Sequence, residues 1–304
     1  MIEVKALTKK YGGVTAVDCL SFVVRPGRVT GFLGPNGAGK STTMRVAVGL
    51  ARPTAGTVTI DGRRYADFPD PLRRVGVVLD LAPVQRGRTA AAHLLAFARS
   101  HGLPRSRVAE VLGLAGLESV AARSAGGFSM GMRQRLGIAV ALLGDPGVLI
   151  MDEPTNGLDP DGVLWLRTLL TDLAAEGRTV LVSSHLMSEM ALTAQQLVII
   201  GRGRLVADMS VQELTSRVGG DNVLIRSPQA RQLRDLLVHR GATVTSEEPD
   251  ALVVGGLAAE EIGAVAVGHA VPVTELTTRR VSLEEAYMDI TRGAVEFEGT
   301  QVRR

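Results

Sequence analysis

The run Gly34-Pro35-Asn36-Gly37-Ala38-Gly39-Lys40-Ser41, continued by Thr42, has the residue types and spacing of a phosphate cradle, G-x-x-x-x-G-K-[ST]. Glycine permits the dihedrals that curl backbone N–H groups inward, and it lets the chain approach a phosphate with no Cβ in the way. A helix opening at Lys40 adds a dipole end that favours anions. In such a loop Lys40 reaches the outer phosphates and the Ser41 hydroxyl ligates Mg²⁺. Downstream, the apolar run Val148-Leu149-Ile150-Met151 ends in Asp152-Glu153. A parallel strand delivers the residues after its carboxyl end to a ligand crevice. There Asp152 would hold the Mg²⁺ water shell, and Glu153 would orient or deprotonate an attacking water. The strand Thr179–Val182 leads into Ser183-Ser184-His185 and brings an imidazole to the same edge. A glycine-rich turn, an acidic strand edge and a strand-end histidine each occur for structural reasons alone. In this order they describe phosphoryl chemistry.

The elements that must position these groups read as an α/β chain. Short apolar stretches at Ile2–Leu7, Leu20–Val24, Val29–Leu33, Thr57–Ile60 and Val75–Leu79 predict strands, and Lys40 to about Gly49 predicts a helix. From Thr89 to about Leu143 the apolar spacing is helical, broken at Gly102-Leu103-Pro104 and Gly126-Gly127. A strand at Val148–Met151, a helix over about 161–175 and a strand at Thr179–Val182 follow. That alternation predicts a parallel sheet wrapped by helices, with residues of about 85–145 as a helical insertion. Past Gly219-Gly220 the rhythm changes to strand 222–226, helix 228–240, strand 242–246, strand 251–254, helix 258–267 and strand 271–276. This β-α-β-β-α-β order predicts a small ferredoxin-like α+β domain. The expected division is 1–220 and 221–304. A final helix is expected at Ser282, with Glu285 closing a capping box.

The totals exclude several classes. With 45% hydrophobic and 21% charged residues the chain is expected to fold around a sizeable core. Lysine occurs only at Lys5, Lys9, Lys10 and Lys40, and the arginines are dispersed, so the +3 net charge predicts an ordinary solvated surface and no nucleic-acid stripe. The single cysteine, Cys19, excludes an internal disulfide and is expected to pack in the core. The stretch Ile262 to Thr274 is the longest without a charged side chain, and it is shorter than the roughly 18 residues of a membrane helix and contains Pro272. A cytosolic chain is expected.

The segment Phe128-Ser129-Met130-Gly131-Met132-Arg133-Gln134-Arg135 lies between the cradle and the acidic strand. It resembles the Leu-Ser-Gly-Gly-Gln signature of ABC ATPases, a P-loop family. The resemblance implies that Gly34–Thr42 is the Walker A loop, Val148–Glu153 the Walker B strand, Leu158-Asp159 the D-loop and His185 the switch histidine. Tyr11 resembles the aromatic that stacks on adenine, with Val17 lining the same face. The family's fold implies a parallel-sheet core, an antiparallel β subdomain and the helical lobe. It also implies ATP and Mg²⁺ as cofactors, with two copies closing head to tail around two ATP. Each ATP would meet Ser129 and Gly131 of the opposite copy at the start of a helix. Met130 and Met132 depart from the signature, and Asp80 stands where the family carries a glutamine that helps hold Mg²⁺. Gln85 is a nearby substitute.

The stretch Phe-Leu-Gly-Pro-Asn-Gly-Ala-Gly-Lys-Ser-Thr-Thr-Met and the terminal Leu-Glu-Glu-Ala-Tyr-Met resemble ATPases of bacterial drug and antibiotic exporters. This implies a peripheral subunit on the cytoplasmic face of the membrane, paired with integral-membrane permease subunits that dock near residues 80–89. The partner ATPase is then a second copy of the chain. Two other readings stay open. A cytosolic ABC ATPase acting on ribosomes or DNA would usually carry two motif sets or a coiled-coil arm, and this chain has neither. A weakly hydrolytic, ATP-gated subunit is motivated by Asp80, Met130 and Met132. The C-terminal domain carries no catalytic motif, so a regulatory, a dimer-stabilising and a purely structural role are all open.

Overall fold

The computed structural model describes residues 1–79, 87–217, 222–279, 284, 287 and 288. The expected roles of Asp80 and Gln85, and the capping box of Ser282 and Glu285, lie outside these residues. The chain forms two compact units, one over Met1–Ser210 and one over Val211–Ile290.

The first unit runs β1 (Ile2–Tyr11), β2 (Val14–Val24), β3 (Arg28–Leu33), α1 (Lys40–Ala47), β4 (Ala55–Ile60) and β5 (Val75–Val78). It continues with α2 (Ala90–Ser100), α3 (Arg105–Leu114), α4 (Met130–Leu142), β6 (Val148–Met151), α5 (Pro160–Ala175), β7 (Thr179–Ser184), α6 (Met187–Thr193), β8 (Gln196–Gly201) and β9 (Arg204–Ser210). One sheet has the order β5-β6-β7-β3-β8-β9, parallel from β5 to β8, with β9 antiparallel at its edge. Every residue of β6 and β7 is buried, as a parallel strand covered on both faces requires. A second, antiparallel sheet, β2-β1-β4, packs across α1 onto the first. Ile2, Val4, Leu20, Phe22, Met44, Phe32, Ile150 and Val198 fill the space between. The Phe22 and Phe32 rings meet at 5.2 Å between centroids.

The helical lobe is tied down at both ends. Thr89 Oγ1 accepts from the Ala92 N–H and caps α2. Asp159 caps α5 by accepting from the Gly162 N–H, and Pro160 supplies the pre-set φ of a first helical residue. Arg135 of α4 stacks 4.2 Å from the Trp165 ring centroid of α5, and the Trp165 indole donates to the Leu114 carbonyl. The predicted helical region therefore resolves into three helices. The chain from Ala115 to Ser129 turns through two short 3-10 segments, Glu118–Val120 and Ala125–Gly127, where Gly116, Gly126 and Gly127 interrupt the apolar period.

Several expectations change on contact with the structure. The first two strands extend to Tyr11 and back to Val14 as a long hairpin. Cys19 is exposed, not core: the pairing skips between Leu7–Leu20 and Lys9–Val17, so a bulge turns Cys19 outward at φ 50° with its N–H on Thr8 Oγ1. The region 185–210, to which the sequence reading assigns no element, holds α6, β8 and β9.

The second unit comprises α7 (Val211–Arg217), β10 (Asn222–Arg226), α8 (Ala230–Val238), β11 (Thr243–Glu248), β12 (Ala251–Gly255), α9 (Ala259–Gly268) and β13 (Glu275–Arg279). Its sheet order β11-β12-β10-β13, antiparallel throughout, is the ferredoxin-like arrangement. Leu233 and Leu237 of α8 and Ile262 and Val265 of α9 pack on Val223, Ile225 and Val254. The last strand starts later than expected because Pro272 has no N–H to offer a ladder, and its carbonyl is taken by the Ser227 hydroxyl.

Gly76 of β5 lies against α4. A Cβ there would overlap the Ala141 carbonyl oxygen and come within 2.7 Å of Leu149 Cδ2. Gly76→Ala is expected to lower stability by about 1–3 kcal/mol through overpacking, read as a lower thermal unfolding midpoint.

Candidate functional site

The carboxyl ends of β6, β7 and β3 lie side by side, with Met151 paired to Val182 and Leu33 to Ser184. Three chain segments therefore leave the sheet at one edge. After β3 the backbone curls through Gly34–Gly39, closed by a hydrogen bond from the Ala38 N–H to the Pro35 carbonyl. Gly39 stands at φ 103° before α1, and a Cβ there would lie 2.6 Å from the Ala16 carbonyl oxygen. At Gly37, with φ 84°, an added Cβ would meet nothing within 4 Å, so the crown of the loop is open. Ala38 is buried, and its carbonyl accepts from Gly203 in the turn between β8 and β9. This clamp had no sequence signal beyond the glycine of a hairpin turn.

Lys40 is only 6% exposed. Its Nζ donates to the Gly34 carbonyl at 2.6 Å and the Pro35 carbonyl at 3.4 Å, and lies 3.9 Å from Glu153 Oε1. Burial pulls the Lys40 pKa below the usual lysine value, opposed by the negative charges of Glu153 and Asp152. After β6, the Asp152 N–H donates to the Val78 carbonyl, which keeps β5 and β6 aligned one residue beyond the strand. Glu153 adopts φ 48°, a left-handed conformation that costs about 1–3 kcal/mol in a non-glycine residue. Its Oε2 lies 2.7 Å from His185 Nδ1. Lys40, Asp152, Glu153 and His185 are thus brought together.

The remaining sequence candidates fall elsewhere. Tyr11 is half exposed at the tip of the β1–β2 hairpin, with Lys9 Nζ 4.6 Å from its ring centroid. Val17 is fully buried in the inter-sheet core beside Gly39, where an added Cβ would lie 3.2 Å from Val17 Cγ2. Ser129 caps α4, its Oγ accepting from the Met132 N–H at 3.2 Å. Gly131 in the first turn packs on the Gly157 carbonyl. Met130 lies over Gly157, whose Cβ, if present, would be 2.8 Å from the methionine sulfur. A cavity of about 270 Å³ is lined by Val78, Leu79, Met130, Gln134, Asp152, Glu153 and Asn156. Gln134, buried in α4, donates to the Pro154 carbonyl and links the signature helix to the acidic turn. Sequence reading assigned Gln134 no role, and only its place in the signature segment marked it.

A family model described as "ABC transporter" matches residues 17–156, and one for a domain of unknown function matches residues 221–284. The chain is 36% identical over 308 residues to the Nod factor export ATP-binding protein I of Ralstonia nicotianae, covering 96% of this chain and 94% of that protein. It is 40% identical over 220 residues to the bacitracin transport ATP-binding protein BcrA of Bacillus licheniformis, covering 71% and 72%. The chain belongs to the ABC transporter family. A solved ATP-binding subunit of an ABC transporter superposes with a TM-score of 0.66 at 30% identity, over 72% of this chain and 93% of that one. The dimeric structure of an ATP-binding cassette in a post-hydrolysis state with ADP and Pi gives 0.61 at 25% identity, over 69% and 99%. As an ABC ATPase the chain binds and hydrolyses ATP. Among its described residues no helix is long and apolar enough to cross a membrane.

The residues present in this ABC ATPase fit a Mg²⁺-bound triphosphate. The open crown at Gly37 leaves room for phosphate oxygens, and Asp152 with Ser41 offers the hard oxygen donors that Mg²⁺ takes. The loop geometry at Gly39 sets a direct test. Gly39→Ala is expected to weaken ATP binding about 10-fold or more, because the strain and the Ala16 overlap reopen the curl. Equilibrium titration of the purified chain with ATP checks it, with circular dichroism confirming that the fold is kept.

Proposed function

We propose that Glu153 is the group that activates water for ATP hydrolysis, and that the chain drives export through separate membrane-spanning permease subunits. The observation that carries this reading is the Glu153 carboxylate held between the Lys40 ammonium and the His185 imidazole at the ends of adjacent strands. Glu153 accepts the proton of the attacking water or fixes its direction. Lys40 exchanges its contacts with the loop carbonyls for phosphate oxygens and neutralises their charge. His185, already hydrogen-bonded to Glu153, steadies that carboxylate and offers its second ring nitrogen to the γ-phosphate. Bound Mg²⁺, held by Ser41 and Asp152, would supply further neutralisation of the phosphate oxygens.

One copy offers only half of such a site. Ser129 and Gly131 begin α4, whose first N–H groups and positive dipole end suit the γ-phosphate of a second copy. Two chains then close face to face around two ATP, and hydrolysis separates them. Tyr11, exposed at the hairpin tip, supplies a surface for adenine. The relatives named for Nod factor export and bacitracin transport support export of a drug, antibiotic or lipid-like compound. They also support a peripheral subunit on the cytoplasmic side, bound to permease chains, with the ferredoxin-like unit as an accessory domain.

Glu153→Gln keeps the shape of the side chain and removes its base. Steady-state ATPase activity of the chain with its permease should fall about 100-fold or more. The same variant should elute as a dimer with Mg²⁺ and ATP and as a monomer with ADP. A monomer under all these conditions, with the permease supplied, would sink the reading.

A further inference from the structure

Ser183 is fully buried at the carboxyl end of β7, one residue past the Met151–Val182 pair, and so stands level with Asp152. Its hydroxyl donates to Asp152 Oδ1 and accepts from the Glu153 N–H at 2.9 Å. The proton's direction is fixed by the partners, since an ionised carboxylate only accepts and an amide N–H only donates. One hydroxyl therefore joins both acids. The neighbouring Ser184 points to the opposite face of the strand and acts differently. Its Oγ accepts from the Leu186 N–H at 2.9 Å and shapes the turn that carries His185.

We propose that Ser183 is a positioning residue that locks Asp152 and Glu153 into one rigid pair. It fixes the Asp152 carboxylate for the metal that accompanies the nucleotide. It also anchors the Glu153 peptide, at its left-handed φ of 48°, so that the side chain turns toward Lys40 and His185. A single hydrogen-bond acceptor placed against that N–H is what a strained, non-glycine residue needs in order to persist. This rests on the nucleotide reading given under Proposed function. It adds that the register of the acids is set by the neighbouring strand and not by the acidic strand alone. Groups that orient a metal ligand typically change metal affinity or activity 10- to 100-fold when removed.

The test is calorimetric binding of the non-hydrolysable analogue AMP-PNP to the full chain, once with Mg²⁺ and once with EDTA. The wild type should bind more tightly with Mg²⁺. Ser183→Ala is expected to lose about 10-fold of that Mg²⁺-dependent gain while its affinity in EDTA stays unchanged. Ser183→Thr, which keeps the hydroxyl, should recover most of the gain, and Ser184→Ala should leave the gain intact. Should Ser183→Ala fold poorly, Ser183→Cys keeps the volume with a weak donor and should show the same selective loss. A Mg²⁺-dependent gain undiminished in Ser183→Ala or Ser183→Cys overturns the proposal, as does an equal loss in Mg²⁺ and EDTA, which marks a purely structural serine. Failure of the wild type to bind the analogue in either condition removes the nucleotide reading itself, an outcome distinct from failure at Ser183.

Discussion

Lys40 carries an ammonium into a position with almost no access to solvent, and a charge so placed persists only while oxygen atoms surround it. Two of those oxygens are loop carbonyls, Gly34 and Pro35, so the same contacts that satisfy the charge also hold the curl of the loop. Glu153 and Asp152 supply the compensating negative charge from the neighbouring segment. The cradle therefore depends on the acidic strand for its stability, and the acidic strand depends on the cradle for charge balance. The fold answers this mutual need by placing β3, β7 and β6 next to one another with parallel ends.

Much of this arrangement was readable in advance because it sits at the ends of short, uniformly apolar strands. Val148–Met151 and Thr179–Val182 announce burial on both faces, and the first polar residues after them fall at the crevice. The cradle was readable because glycine at fixed intervals before Lys-Ser reports backbone conformation directly. Cys19 misled because a bulge is a difference in residue count between two strands, which one strand's pattern cannot reveal. Ser183 was visible as a residue and mute as a function. Its two partners belong to another strand, about thirty positions away, and become neighbours only through register.

The signature helix shows how a departure from a family pattern can be absorbed locally. Methionine at 130, where the family carries glycine, needs space, and that space exists because residue 157 is a glycine at φ 79° with no side chain of its own. Gly131 is retained where the Gly157 carbonyl comes close. Met130 thus leans on the turn that follows the acids, while Gln134 ties the next turn of α4 to the Pro154 carbonyl. The start of α4 and the loop after Glu153 are packed as one body. Any shift of the acidic turn is passed to the helix by direct contact, through a flexible thioether that tolerates small changes of shape.

Charge balance also bears on the two-copy closure proposed above. Apart from the imidazole, the described site contains one cation, Lys40, and two carboxylates, Asp152 and Glu153. A triphosphate with one Mg²⁺ remains anionic, so its arrival adds negative charge where negative charge already exceeds positive. The loop N–H groups and the dipole of α1 answer this at the inner phosphates, where the curl points. In the proposed closure the outer side of the γ-phosphate is left to the second copy. A helix start capped by Ser129, with N–H groups in excess and free of acidic residues in its first turn, is the complementary surface that the chain already carries. It packs against its own Gly157 turn. In the closure proposed above, this surface of one chain meets the nucleotide of the other, and loss of the γ-phosphate removes the charge that joins them.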